Sequence, residues 1–218
     1  RKSVFHGPTD LVYLPINTDI EITGSGRVIV AEAPAKNHRP VKFMARDSFP
    51  NVVRGAGPES RQIHDFGGVA ALDADRFLVE EVIVPAGNWS GIPTHKHDKF
   101  VPGVEANLEE IYYFEVAPDR NLKAPAKTDP KGLFRGYSSD DRPFDVTTEV
   151  RSGDVVLVPY GWHGPVAAMP SYDMYFMNVM AGPDEERVWN FVDEPGHEWI
   201  RESWAHRPQD PRLPYTAE

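Results

Sequence analysis

The sequence predicts an all-β protein made of two similar sandwich or barrel units, with short helices only near its C-terminal end. Three observations carry this. The 21 prolines and 17 glycines among 218 residues punctuate many short β-branched and aromatic runs, the pattern of a sandwich or barrel. An internal echo is present: Asp10-Leu11-Val12-Tyr13-Leu14-Pro15 returns as Asp154-Val155-Val156-Leu157-Val158-Pro159, each followed by a turn and a further strand. Helical patterning is confined to residues 185–191 and 198–204.

In chain order, strands are expected over residues 10–14, 27–31, 41–44, 77–84, 110–116, 154–158 and 172–180. The two late helices, followed by a proline-broken tail from Pro208, are expected to pack outside the barrel or against a neighbouring subunit. Continuing the internal echo sets Ile16-Asn17-Thr18-Asp19 against Tyr160-Gly161-Trp162-His163, so Asp19 stands in the first copy where His163 stands in the second. Gly55-Ala56-Gly57 lacks the helix and the remaining glycines of a phosphate loop and reads as a turn in a linker.

A formal net charge of -10, from 33 acidic and 23 basic side chains, argues against a sequence-independent nucleic-acid binder and a polybasic membrane-surface protein. A small-molecule partner fits better. If that molecule is an anion, a local arginine or lysine must overcome the general field. The absence of cysteine removes disulfides and thiolate ligands, leaving nitrogen and oxygen donors for any metal, and is compatible with a reducing cytoplasm, where the protein is expected. No apolar run suits a bilayer span, and Arg1-Lys2-Ser3-Val4-Phe5-His6 does not resemble a signal peptide. The chain opens without methionine at a strand-like segment, so the N-terminal unit is expected to be incomplete.

The chemistry is concentrated in two histidine clusters, Thr94-His95-Lys96-His97 and Gly161-Trp162-His163, with Leu108-Glu109-Glu110-Ile111-Tyr112-Tyr113 between them. Side chains two apart on an extended segment share a side, so His95 and His97 can grip one ion while Glu110 and His163 arrive from other strands. An HxH pair alone is more often a chance feature of a solvated loop; the four together reverse that. Three imidazoles and a carboxylate suit zinc, manganese or iron. His6, His38, His64, His197 and His206 have no partner at ligand spacing and are expected at the surface or as capping groups.

The spacing of Gly153, Pro159, Gly161 and His163 resembles the second signature of the cupin superfamily, and His95, His97 and Glu110 resemble the first. Cupins are double-stranded β-helices, small jelly rolls. Twelve residues, 98–109, separate the HxH from Glu110, more than in the usual cupin; this requires an inserted loop and leaves Glu109 as a rival ligand. A narrower resemblance covers nearly the whole chain. Gly87-Asn88-Trp89-Ser90, His95-Lys96-His97-Asp98, residues 108–113, residues 162–168, Tyr172-Asp173-Met174-Tyr175, residues 178–183 and Arg54-Gly55-Ala56-Gly57 with Arg61-Gln62 are similar to the 5-deoxy-glucuronate isomerase family of inositol catabolism.

The resemblance implies a bicupin: residues 1–50 as the remainder of an N-terminal cupin, 51–75 as linker, 76–183 as the metal-binding cupin, and 184–218 as helical segment and tail. It implies an aldose–ketose isomerase interconverting 5-deoxy-D-glucuronate and 2-deoxy-5-keto-D-gluconate. A divalent metal, zinc first and manganese or iron as alternatives, would sit on His95, His97, Glu110 and His163; Glu110 is preferred over Glu109 because the family places its ligand before an aliphatic residue and a tyrosine. Tyr112 shares the parity of Glu110 and is the first candidate for proton transfer, with Tyr175 second, although both tyrosines also read as core. Lys96, Lys99, Arg135, Arg142 and Arg187 are candidates for a carboxylate clamp, with Arg135 preferred and Lys96 expected to point outward. The partner is a small sugar acid, with no nucleic acid or membrane, and a homo-oligomer is expected. An iron-dependent cupin oxygenase and a non-catalytic sugar-acid-binding cupin are the alternatives.

Overall fold

The computed structural model describes residues 1–49, 51–140 and 142–216. Strands β1 (Leu11–Tyr13) and β2 (Lys42–Met44) are followed by β3 (Val52–Arg54), β4 (Arg61–Asp65) and β5 (Leu78–Val84). Four short strands, β6 (Trp89–Ser90), β7 (His95–Lys96), β8 (Asp98–Val101) and β9 (Glu105–Asn107), lead into the long β10 (Glu109–Pro118). Then come β11 (Gly132–Tyr137), β12 (Asp145–Val150), β13 (Val155–Val158), β14 (Val166–Ala168), β15 (Tyr172–Ala181), β16 (Val192–Asp193) and helix α1 (Trp199–Ser203).

Two antiparallel sheets face each other. The larger has the order β13-β10-β15-β5-β4-β3 and the smaller β12-β11-β14-β6. Between them lies a core that includes Val82, Phe114, Val158 and Phe176 from one sheet and Phe134, Val150 and Val166 from the other. This is the all-β jelly roll expected from the sequence. Period-2 patterning explains β10, on which Glu110, Tyr112 and Phe114 are buried while Glu109 and Ile111 are exposed. Strand β5 differs, because all seven of its residues are buried. Its second face, with Val79 and Ile83, packs under Val4, Phe5, Tyr13, Met44 and Tyr215. A strand covered on both sides loses its polar alternation.

Several expectations are corrected. Residues 27–31 form no strand; Val28, Ile29 and Val30 lie exposed, and no described strand pairs with them. Residues 51–75, expected as a linker, carry β3 and β4, which extend the large sheet beside β5. Within residues 1–50, strand pairing is limited to β1 with β2 among the described residues. The expected helix at 185–191 is absent; there Arg187 donates to the carbonyls of Phe77, Leu72 and Gly67, tying an irregular segment along the barrel. The second helix is present as α1, continued by a short 3-10 turn at Trp204–His206. Among the described residues no helix is long and apolar enough to cross a membrane.

Candidate metal centre

His95, His97 and His163 each offer a ring nitrogen, and these atoms lie within 4.8 Å of one another. Strand pairing brings them together. His95 and His163 face each other in an antiparallel bridge, exchanging backbone hydrogen bonds of 3.0 and 2.9 Å. His97 accepts the backbone N–H of Leu108 at 2.8 Å, which sets it beside the start of β10. The long insertion between HxH and glutamate is the β8–β9 hairpin. Glu110 completes the group: its Oε2 lies 3.0 Å from Nε2 of both His97 and His163. Glu109 is exposed on the opposite face of the strand, which removes it as a rival.

The rings are oriented by backbone carbonyls. Nδ1 of His95, His97 and His163 faces the carbonyl oxygens of Pro93, Leu108 and Gly161 at 3.3, 3.2 and 2.8 Å respectively. A carbonyl can only accept, so each ring can keep a proton on Nδ1, which leaves Nε2 to donate to Glu110 or, once deprotonated, to offer its lone pair to a cation. Burial, then the charges of His163 and His97, push His95 well below the ordinary imidazole range. Burial also opposes ionisation of Glu110, but hydrogen bonds from His163 and His97 outweigh it and hold that carboxyl at about 2. A carboxylate that stays ionised beside three imidazoles, whose Nε2 protons a cation can displace, fits a divalent ion.

A buried ionic strut supports the cluster from behind. Lys96, expected outside, is only 8% exposed, and its ammonium lies 2.9 Å from Asp98 Oδ1 and 2.7 Å from Glu105 Oε1. Asp98 Oδ2 accepts the Gly161 N–H at 2.9 Å and the Ser139 hydroxyl at 2.5 Å. Alternation does turn Lys96 away from the histidines, but that side is interior. Gly161 has φ +95°, and a Cβ there would lie 2.5 Å from the Tyr137 carbonyl oxygen, so the turn delivering His163 requires glycine.

The cluster opens on a cleft of about 580 Å³, counting the solvent at its mouth, lined among others by His95, His97, Glu110, Tyr112, Glu80, Arg54, Arg61 and Arg201. Trp189 and Phe191 also line it, so the C-terminal segment expected outside the barrel forms a wall of the site. Glu80 is 8% exposed, and its Oε2 finds no hydrogen-bond partner among the described residues. Burial is the main cause that pushes its carboxyl up to about 8. Tyr112 faces the cleft as its parity implies, but burial and then the charge of Glu110 raise its phenol well above the ordinary range.

The other sequence candidates lie elsewhere. Tyr175 is on the opposite face of the large sheet and donates to Glu81 Oε1 at 2.6 Å, so a catalytic hydroxyl there is ruled out by position. Arg135 pairs with Asp145 and donates to the Gly136 carbonyl at 2.8 Å, away from the cleft. Lys99 pairs with Asp140, Arg142 with Asp98, and Arg187 with carbonyls. His64, expected at the surface, is fully buried, with Nε2 2.8 Å from Asn51 Oδ1 and Nδ1 3.3 Å from Glu81. The cleft's own arginines, 54, 61 and 201, were not among the candidates, though Arg54 and Arg61 stood in the segment read as linker.

Comparison with known proteins agrees with this architecture. The 5-deoxy-glucuronate isomerase of Halalkalibacterium halodurans is 38% identical over 205 residues, 93% of this chain and 71% of that protein. That of Geobacillus thermodenitrificans is 39% identical over 206 residues, 93% of this chain and 70% of that protein. The crystal structure of an IolB-like protein from Salmonella typhimurium superposes with a TM-score of 0.65 at 39% identity, covering 77% of this chain and 58% of that one. The model of the KduI/IolB family matches residues 1–200, and the chain belongs to that family.

Proposed function

We propose that this chain is a metal-dependent aldose–ketose isomerase that converts 5-deoxy-D-glucuronate to 2-deoxy-5-keto-D-gluconate, acting in the cytoplasm in inositol catabolism. The observation that carries the reading is one cleft holding a His95, His97, His163 and Glu110 donor set together with two further acid–base groups, Glu80 and Tyr112. Relatives named 5-deoxy-glucuronate isomerase are 38% and 39% identical to the chain over 93% of its length. Zinc is the first candidate for the cation, with manganese and iron as alternatives. A divalent ion there supplies Lewis acidity, polarising a carbonyl and its neighbouring hydroxyl.

The protein's own groups do the rest. The isomerisation moves one hydrogen from C2 to C1 and one from the C2 hydroxyl to the C1 oxygen, with no net loss of protons or electrons. Glu80, titrating at about 8, has both forms accessible near neutrality and can take the C2 proton and return it to C1. Tyr112, held as a phenol, donates its proton to the C1 oxygen on which charge develops and regains one from the C2 hydroxyl. Trp189 and Phe191 limit water at the cleft.

The test is turnover of 5-deoxy-glucuronate by the metal-replete protein, followed by NMR in deuterated water. Formation of the ketose with solvent deuterium at C1 is expected. Substrate loss coupled to oxygen uptake, or binding without turnover, would overturn the reading.

A further inference from the structure

The cleft holds more positive charge than its metal ligands and acidic groups account for. Arg61 is 7% exposed, and its single side-chain hydrogen bond among the described residues runs from Nη1 to the Glu59 carbonyl at 3.2 Å. The rest of the guanidinium lies beside the Trp204 ring, 5.2 Å from its centroid. Arg54 is its direct cross-strand partner in the β3–β4 ladder and lines the same cleft. Among the described residues neither arginine is paired with a carboxylate. Arg201, the third arginine of the cleft, is paired with Asp193 through Nε and Nη2, at 2.5 and 2.6 Å. A buried guanidinium without a counter-ion is costly, and burial pulls Arg61 down to about 10. Glu80 is not the missing partner, since among the described residues it makes no hydrogen bond or ion pair with either arginine and its Oε2 has no partner at all.

The hairpin turn is shaped for this arginine. Gly55 has φ +82°, and a Cβ there would lie 2.1 Å from the Glu59 carbonyl oxygen and 2.9 Å from Arg61 Nη1. Glycine lets the turn fold back and leaves the guanidinium its place. A planar fork of donors matches a carboxylate in two-point contact, and a positive pocket offsets the repulsion that a chain of net charge -10 exerts on an anion.

We propose that Arg61 and Arg54 form a carboxylate-binding subsite of this cleft, which takes the terminal carboxylate of an open-chain polyhydroxy acid while the other end of the molecule reaches the histidine cluster. The proposal deepens the isomerase reading and rests on it for the orientation of the substrate. It makes the β3–β4 hairpin the element that selects a sugar acid over a neutral sugar. Arg61 gives the desolvated two-point contact, and Arg54, exposed at the mouth, adds charge.

The test uses D-gluconate, an open-chain six-carbon acid without a carbonyl to isomerise, titrated calorimetrically into metal-free protein, with sorbitol as the uncharged control. Gluconate is expected to bind wild type more tightly than sorbitol. Arg61→Gln should weaken gluconate binding by at least about tenfold and Arg54→Gln by less, with sorbitol unchanged in both. Arg61→Lys keeps the charge without the fork and is expected to fall between wild type and Arg61→Gln; it also serves if the glutamine variant does not fold. Equal gluconate affinity in wild type and all folded variants, or no preference for gluconate over sorbitol in wild type, overturns the subsite. Arginine-dependent gluconate binding without turnover of 5-deoxy-glucuronate would leave the subsite standing and remove the isomerase reading. Normal turnover with arginine-independent gluconate binding would do the reverse.

Discussion

Glu80 and Glu81 are consecutive on β5 and buried on opposite faces of the same sheet, one in the metal cleft and the other against the N-terminal segment. Glu81 is satisfied: Arg1 pairs with it through both carboxylate oxygens, Tyr175 donates at 2.6 Å, and His64 lies 3.3 Å away. Glu80 has an oxygen with no partner among the described residues. Burial resists ionisation of both, but His64, Arg1 and Tyr175 outweigh it at Glu81 and lower that carboxyl, while at Glu80 burial wins. Adjacent residues of one type thus acquire a structural and a chemical role from the face they occupy.

Glu80 should leave a mark on the pH dependence of stability. Its carboxyl titrates at about 8 in the folded chain against the ordinary 4.5. Between these values the folded protein keeps a proton that the unfolded chain has released. The contribution is therefore full below the lower value and is lost as pH rises to the upper one, by at most ~1.4 kcal/mol per pH unit. Glu80→Gln removes this slope, so the metal-free variant should gain on wild type from about pH 5 to about pH 8 and level off beyond. Urea unfolding across that range measures it; parallel curves would show that Glu80 does not titrate there.

Glu81 carries the opposite expectation. Glu81→Ala strands the Arg1 guanidinium and the fully buried His64 without their anion, a loss of roughly 3–5 kcal/mol for a broken buried pair. The surviving folded protein should retain its metal stoichiometry and, in contrast to Glu80→Gln, its rate. Chemical denaturation with metal analysis separates the two; a folded Glu81→Ala protein that has lost metal would place this cluster in the site.

The strut behind the ligands gives a third prediction. Asp98 touches no ligand side chain, yet it accepts the N–H of Gly161, two residues before His163, and pairs with Lys96, the residue between His95 and His97. Removing such a support typically costs about 10–100-fold in metal affinity. Asp98→Ala should therefore weaken metal binding while His163→Ala abolishes tight binding, and Asp19→Ala, at an exposed position, should change neither. Competition against a chromophoric chelator gives all three values. Unaltered affinity in Asp98→Ala would mean that the Gly161 turn holds His163 unaided.

The ligands are legible in the sequence because their geometry is local: two histidines two apart on an extended segment, and a glutamate whose parity on β10 separates it from exposed Glu109. The arginines are not, because Arg54 and Arg61 stand in a Gly-rich stretch that reads as a linker, and only the β4–β5 ladder brings them to the cleft. Alternation also fails on a sheet covered on both faces. It cannot tell which side of β5 or β15 is the cleft, so Glu80 goes unnoticed and Tyr175 is assigned to the wrong face. Residues 185–191 carry helical patterning, yet the Arg187 contacts with three distant carbonyls override it.

The two tyrosines now make a matched pair. Tyr112 lies two residues from Glu110 on β10 and faces the cleft; Tyr175 donates to Glu81 behind the sheet. Burial raises both phenols, Tyr112 further through the charge of Glu110 and Tyr175 through that of Glu81, so neither is suited to act as a phenolate base. Tyr112 can still donate a proton or hydrogen bond to a substrate oxygen, and losing such a group typically costs about 10²-fold or more in rate. Tyr112→Phe should accordingly lose most turnover, in kcat more than in KM, with metal content intact. Tyr175→Phe should keep its rate and lose stability by roughly 1–3 kcal/mol, since the Glu81 carboxylate gives up a buried donor. Steady-state kinetics, metal analysis and urea unfolding on both variants decide it. If Tyr112→Phe retains a near-normal rate, the phenol is a packing group, and the proton between the C2 and C1 oxygens must pass by another route.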